Sequence, residues 1–258
     1  MSTLMKYKAL MLDFDGTTAV SSLTAKPTTR VKAAILEANK KIHVGIATGR
    51  PYPYIKDILK DLAISGPCIV NDGAMVINAS TKEIYYERSI DISLIPRIIA
   101  ILKEQAISFS LHDSGRDVKY SSRYIPKKPT SIFTIGADEI YTDAAYQKLI
   151  RLPSLHVTKY VSWANGLPGI LTTHAEATKQ HGIMEVAKAL GISTHEIIGV
   201  GDGYNDFPLL MACGLKVAMG NAVPELKAIA DYIAPTVEED GVADVIEKFI
   251  LNTPLRSS

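Results

Sequence analysis

Short apolar runs that stop abruptly on acidic, hydroxyl or glycine residues recur along this chain, and they restrict its fold more than any other feature. "LMLDFDGTTAV" passes from Leu10–Leu12 into Asp13 and Asp15, "KIHVGIATGR" ends on Thr48, Gly49 and Arg50, and "EIIGVGDGYND" ends on Asp202 and Asp206. Runs of this length without polar alternation suit strands buried on both faces, the habit of parallel sheets. Helical stripes lie between them. "TTRVKAAILEANKK" repeats Val31, Ala34, Ile35 and Ala38 at helical spacing, "PYPYIKDILKDL" opens on Pro51, and Thr178 to Leu190 aligns Ile183, Val186, Ala187 and Leu190. This alternation predicts an α/β fold with a parallel sheet and right-handed crossovers. Open sheets of that kind bind ligands beyond the carboxyl ends of their strands, so Asp13, Thr48 and Asp202 are expected to meet on one rim.

The rhythm continues near the C-terminus through "FPLLMAC", "LKVAMGN", a short helix after Pro224, "DYIA" and a closing helix from Val242 to Leu251. Different material lies between the halves. "EIYYER", "ISFSLHD" and "DVKYSS" read as strands, the last two joined at Ser114 and Gly115 as a hairpin, while "ISLIPRIIAILKEQ" and "TDAAYQKLIRL" read as helices. The expected organisation is a core made of 1–82 and 175–258, with 83–174 inserted as a second domain.

Bulk properties exclude several classes of function. The 258 residues are 47% hydrophobic and 21% charged, ordinary for a globular chain, and the net charge of +1 offers no global field for nucleic acid or anionic membrane. Cys68 and Cys213 lack CxxC spacing, which argues against a disulfide scaffold or zinc site and fits a reducing compartment. No apolar stretch reaches the roughly 18 residues that span a bilayer. The apolar patch near the N-terminus is too short for a signal sequence, so a cytoplasmic protein is expected.

Two carboxylates about 4 Å apart repel by roughly 4 kcal/mol at an effective dielectric near 20, so a close Asp13 and Asp15 pair favours a cation or a shared proton. Asp202 and Asp206 strengthen the case for a metal. With only oxygen ligands at hand, the expected ion is hard, and magnesium (Mg2+) bridging carboxylate and phosphate fits best. Taken alone, "DFDG" reads equally as an acidic surface turn. An EF-hand fails because Thr24 and Phe207 occupy positions that require Glu and Gly, and Tyr204 spoils a dinucleotide loop in "GVGDGYND". Walker A, GxSxG and HExxH motifs do not occur.

"DFDGTT" at 13–18, "IATGR" at 46–50, Lys179 at a helix start and "GDGYNDFPLL" at 201–210 resemble the four ordered motifs of the haloacid dehalogenase superfamily. The insert resembles the C2 cap of its Cof-like (class IIB) phosphatases, and the resemblance covers essentially the whole chain. It implies a Rossmann-like parallel-sheet core with an inserted α+β cap and a phosphoric monoester hydrolase. Asp13 would be the nucleophile that forms an aspartyl-phosphate, and Asp15 would protonate the leaving oxygen and then deprotonate water. Mg2+ would be held by Asp13, the backbone carbonyl of Asp15 and Asp202, with Asp206 as a ligand or standing behind one. Thr48, Lys179 and the backbone N–H groups of the loops holding Gly16, Thr17 and Gly49 would grip the transferring oxygens, and Asn205 would add a hydrogen bond. Arg50 stays open between a substrate contact and a surface residue at a helix start.

Some wording departs from the family. Thr18 replaces the usual leucine, "EATKQHGI" replaces "SKG", and "NDGA" at 71–74 carries an additional Asp72 whose role stays open. Surface or packing roles are expected for His174, Glu176 and His181. Lys119, Arg123, Lys127 and Lys128 with Tyr120 and Tyr124 are either solvated cap charge or contacts to an anionic or sugar leaving group, and "HDSGRD" and Trp163 are further candidates. The expected activity is Mg2+-dependent hydrolysis of small phosphate monoesters, sugar phosphates first, by a monomer or homodimer. A phosphomutase or phosphotransferase using the same intermediate, or a metabolite-binding regulator without turnover, are the alternatives.

Overall fold

The computed structural model describes residues 6–22, 24–121, 123–162 and 165–251. Trp163 lies outside them. Strands β1 (Ala9–Leu12), β2 (His43–Ile46), β11 (Ile197–Gly201), β12 (Leu215–Ala218) and β13 (Tyr232–Ile233) form a parallel sheet in the order β13-β12-β11-β1-β2. Helices α1 (Thr29–Ala38), α2 (Tyr52–Asp61), α5 (Lys179–Leu190), α6 (Phe207–Ala212), α7 (Pro224–Ile229) and α8 (Gly241–Ile246) come from the same N- and C-terminal segments as this sheet. The stripe read from α1 is its buried face: Val31, Ala34, Ile35 and Ala38. Full burial of a Val or Ile side chain contributes about 1.5–3 kcal/mol, more than the intrinsic propensity of so short a helix supplies. Thr28 caps α1 by accepting the Val31 N–H.

The sheet does not simply extend through β3 (Pro67–Val70). Pro67 has no N–H to donate, and the backbone pairing of β3 with the parallel sheet is an isolated bridge between Ala47 and Ile69. β3 pairs antiparallel with β4 (Met75–Asn78), which pairs with β5 (Ile84–Glu87). The strand "EIYYER" thus completes this small sheet. The expected closing helix ends as a π-helical turn over Glu247–Leu251.

A second five-stranded sheet, in the order β7-β6-β8-β10-β9, contains β6 (Phe109–Asp113), β7 (Arg116–Val118), β8 (Pro129–Thr134), β9 (Leu155–Val161) and β10 (Pro168–His174). One face packs on α3 (Ile95–Glu104) and α4 (Glu139–Leu149) through Ile98, Leu102, Leu111, Ile132, Leu149, Val157 and Ile170. Neighbouring residues along the same strands, such as His112, Thr158 and Leu171, therefore face the other way, toward the first sheet. The two chain crossings are tied together: Arg88 Nε donates to Glu176 at 2.9 Å and the Tyr86 hydroxyl to the Glu176 carbonyl at 2.8 Å.

Tyr120 and Tyr124 pack against this sheet's own apolar cluster and Lys128 pairs with Glu87, while the side chains of Lys119, Arg123 and Lys127 are exposed. Asp113 organises this segment. Its carboxylate accepts from Ser114, Tyr124 and the N–H groups of Lys127 and Lys128. Burial alone would raise its pKa, but these donors outweigh it and hold the acid below the ordinary range. Its contribution is complete above the usual carboxylate pKa near 3.9 and fades as pH falls through the lower folded value. Asp113→Ala is expected to destabilise this domain by about 1–3 kcal/mol, because it leaves four partly buried donors without their acceptor, and denaturant unfolding at neutral pH measures the loss.

Candidate active site

The carboxyl ends of β1 and β11 lie side by side, with the Asp13 N–H donating to the Val200 carbonyl at 2.9 Å. Asp13, Asp202 and Asp206 each offer an oxygen within 4.8 Å of the others. Gly16 has φ +81°, and a Cβ there would collide with the Asp202 carboxylate, so only glycine lets the two loops approach this closely. Thr17 Oγ1 donates to Asp202 Oδ1 at 2.7 Å, and Asn221 holds the Gly16 carbonyl at 2.8 Å.

Lys179 starts α5 and is wholly buried. Its ammonium donates to Asp13 Oδ1 and Asp206 Oδ1, both at 2.6 Å. Burial would lower its pKa, but Asp13, Asp206 and Asp72 outweigh that and keep the lysine charged. One ammonium cannot balance the acids around it. Burial, then repulsion from Asp206, raises Asp13 well above the ordinary carboxylate value, and the same two causes push Asp202 up to about 7. An all-oxygen donor set with surplus negative charge in a buried place fits a hard divalent cation. Asp206 has little left to offer one, because its Oδ2 already accepts from the Asp202 and Gly203 N–H groups, both at 2.9 Å.

Thr48 follows β2 and is buried. Its oxygen accepts the Arg50 N–H at 3.0 Å, leaving the hydroxyl proton to be donated elsewhere. Arg50 is neither a surface residue nor open to a substrate: it is 1% exposed and closes a fork on Asp15, Nε to Oδ2 at 2.8 Å and Nη2 to Oδ1 at 2.5 Å. It also donates to the Ser22 carbonyl and lies over the Phe14 ring. Burial raises the Asp15 pKa in spite of this fork.

The sequence-derived residues Asp13, Lys179, Asp202 and Asp206 are therefore brought into direct contact or near it, with Thr48 and Asp15 on adjoining loops. Several expected substrate contacts are engaged within the protein instead. The Gly16 N–H goes to the Ala19 carbonyl at 2.8 Å, Thr17 orients Asp202, Arg50 holds Asp15, and Asn205 donates to Asp72 at 3.1 Å. Gly49 faces the second sheet, with Leu171 3.8 Å from where its Cβ would stand. His174, Glu176 and His181 serve local hydrogen bonds and the Arg88 pair, as the sequence suggested.

Sequence reasoning missed Asn221 and the cap residues Thr130, His156 and Thr158. It also left Asp72 unassigned, although the run Asn-Asp-Gly signals a left-handed backbone.

The chain matches a family model described as haloacid dehalogenase-like hydrolase over residues 10–144 and 114–246. A Haemophilus influenzae protein provisionally named a phosphatase is 30% identical over 263 residues, spanning 95% of this chain and 98% of its own. Phosphoglycolate phosphatase 1 of Saccharolobus solfataricus is 25% identical, over 94% of this chain and 96% of its own. A haloacid dehalogenase-like hydrolase from Bacteroides thetaiotaomicron superposes with a TM-score of 0.78 at 25% identity, over 94% of this chain and 99% of that one. A subclass IIB sugar phosphatase shares the fold, with a TM-score of 0.76 at 24% identity over 94% and 98% of the two chains.

Proposed function

Given that the chain belongs to the haloacid dehalogenase-like hydrolases and is a phosphatase, we propose that it is Mg2+-dependent and hydrolyses sugar phosphates and similar small monoesters through an aspartyl-phosphate on Asp13. The observation that carries this reading is the buried Asp13–Lys179–Asp206 bridge, with Asp202 beside it, assembled from remote stretches of chain. A phosphatase active on phosphoglycolate and a sugar phosphatase of the same fold support small metabolites as substrates.

With Oδ1 of Asp13 engaged by Lys179, Oδ2 attacks phosphorus, and the bond from phosphorus to the leaving oxygen breaks. Asp15 donates a proton to that oxygen. Burial favours its protonated form and the Arg50 fork its ionised form, the two states this role passes between. It then takes a proton from water, whose oxygen attacks phosphorus, and cleavage of the Asp13–phosphorus bond releases phosphate. Lys179 and the Thr48 hydroxyl hold the equatorial oxygens, where charge is spread during transfer. Mg2+, held by Asp13, Asp202 and the Asp15 carbonyl, would neutralise charge between the acids and the incoming phosphate. Asp206 fixes Lys179 and the backbone at 202–203, and Arg50 keeps Asp15 in place. The second sheet, β6 to β10, with α3 and α4 serves as the lid that shields this chemistry from water.

Purified protein is expected to release phosphate from p-nitrophenyl phosphate and from a panel of sugar phosphates with Mg2+ and not with chelator. Because protons compete for Asp202, whose pKa stands near 7, Mg2+ uptake should release protons and weaken as pH falls below that value. Full turnover in chelator, or none on any monoester, would sink the proposal.

A further inference from the structure

Beside the rim of the parallel sheet, core and cap meet along side chains that cross three adjacent cap strands: Asp117 on β7, His112 on β6 and Thr130 on β8. His112 faces Asp117 across the β6–β7 hairpin, with Nδ1 2.7 Å from Asp117 Oδ1, and its carbonyl accepts from Thr130 Oγ1 at 3.4 Å. The core engages both ends of the row. The Tyr54 hydroxyl of α2 donates to Asp117 Oδ2, and Asn71 Nδ2 donates to Thr130 Oγ1 at 2.8 Å.

Two polar atoms at this seam have no hydrogen-bond partner among the described residues. Asn71 is 1% exposed, and its Oδ1 is buried and unmet. Because Thr130 spends its single proton on the His112 carbonyl, it must accept from Asn71, so the unmet atom is the amide oxygen and not the NH2. His112 is buried as well, and its ring bonds only to Asp117. Burial would raise the Asp117 pKa, but His112 and Tyr54 outweigh it and hold the acid below the ordinary range. An ionised carboxylate only accepts, so Nδ1 carries hydrogen and the neutral ring keeps its lone pair on Nε2. Both unmet atoms are acceptors.

A buried acceptor without a donor has lost its water for nothing, and native proteins seldom keep one without a use. Its position points to the use. Asn71 follows β3 at the rim, where its N–H donates to the Arg50 carbonyl at 3.1 Å and the next N–H to the Thr48 carbonyl at 3.0 Å. These bonds hold Asn71 in left-handed backbone, φ +51°, a conformation that persists where surroundings over-determine it and that recurs at ligand clamps. A monoester gripped by Thr48 and Lys179 directs its leaving group away from the sheet and toward this seam.

We propose that Asn71 and His112 select the leaving group, with Asn71 Oδ1 and His112 Nε2 accepting from its hydroxyls, so that polyol and sugar phosphates are preferred over phosphorylated carboxylic acids. Resting on the phosphatase reading above, this narrows it to a chemical class and two residues. A hydroxyl can donate to either atom. A carboxylate cannot, and it would also stand near the charge of Asp117. Because the cap covers Asn71, only a leaving group enclosed with it can supply the missing donor.

The test compares glycerol 3-phosphate with n-propyl phosphate, the same carbon chain without hydroxyls, and with phosphoglycolate, using the full chain and Mg2+. Each hydroxyl-to-acceptor bond is expected to favour glycerol 3-phosphate over propyl phosphate by about tenfold in kcat/KM. Asn71→Gly accepts the left-handed backbone and deletes the amide, while His112→Phe keeps the bulk of the ring without its nitrogens. Either variant should shrink the preference about tenfold. The ratio cancels any loss of activity common to both monoesters, so a general disturbance of the fold does not imitate the effect.

A parent that prefers glycerol 3-phosphate by less than about threefold, faster turnover of phosphoglycolate, or either variant with the parental ratio would overturn the selection. If the parent hydrolyses none of the three, the phosphatase reading fails separately, and calorimetric titration decides the selection. Glycerol 3-phosphate bound about tenfold more tightly than propyl phosphate by the parent, and equally by Asn71→Gly, sustains it; equal affinity or no binding in the parent refutes it.

Discussion

Asp13→Asn is expected to reduce phosphate release to background, a loss on the order of 10^5-fold in kcat, the scale seen when a nucleophile that works within a catalytic unit is removed. The amide is nearly the same shape as the carboxylate, and its oxygen can still accept from Lys179, so the buried bridge has no steric reason to collapse. What disappears is the anionic oxygen that attacks phosphorus in the proposed mechanism. The substitution also removes one acid from a place where burial and Asp206 already oppose its ionisation. The variant should therefore unfold at a temperature no lower than the parent in the absence of Mg2+. Steady-state assays give the rate, and mass spectrometry of acid-quenched enzyme reads the intermediate: a phosphoryl adduct on the parent and none on the variant. A variant that keeps even a hundredth of the parental rate would remove Asp13 from the role of nucleophile.

The parts of the fold that sequence reveals are those where one physical demand decides the residue. β1 and β11 are buried on both faces, so their runs are apolar throughout and stop where the rim begins. The face of α1 is legible for the same reason. The middle of the cap sheet was not read from the sequence, because β8, β9 and β10 answer to two demands. In β9, Val157 turns to the cap's apolar cluster while His156 Nε2 lies 3.9 Å from Asp72 Oδ2 of the core, and a mixed strand of this kind carries no pattern distinct from loop. Side-chain partners between distant loops are harder still. Asp13, Asp202 and Lys179 could be placed by motif, but the fork of Arg50 on Asp15 depends on a turn that brings the Ser22 carbonyl to the same guanidinium. Asp72 was visible as an anomaly, and only the fold shows its carboxylate accepting from Asn205.

Lys179→Met is expected to act on stability and activity together, and in a way that Mg2+ separates. The lysine is buried between Asp13 and Asp206, with its ammonium bonded to both. Methionine preserves most of the apolar stem and deletes the charge. Breaking a buried pair from one side costs about 3–5 kcal/mol, because the abandoned charges stay in low dielectric. For a chain of this size each kcal/mol corresponds to about 2–4 °C, so a fall in melting temperature on the order of 10 °C should be measured in chelator. The folded-state pKa of Lys179 lies above its ordinary value of 10.5, so its stabilisation is fully present throughout the neutral range and would be lost only as pH rises through that higher value. Neutral pH is therefore the right place to compare the proteins. A divalent cation among the same acids replaces part of the missing charge, so saturating Mg2+ should close part of the gap in melting temperature. Turnover should not recover with it. In the proposed mechanism the ammonium also faces the charge that develops on the transferring phosphoryl group, and loss of such a donor in a dry site lowers kcat by about 10^2–10^3-fold. A variant that melts with the parent in chelator would mean that the acids are already neutralised by protons, and the bridge would then owe its place to catalysis alone. If Mg2+ restored melting temperature and rate together, Lys179 would be a counterion to Asp13 and Asp206 with no part in holding the phosphate.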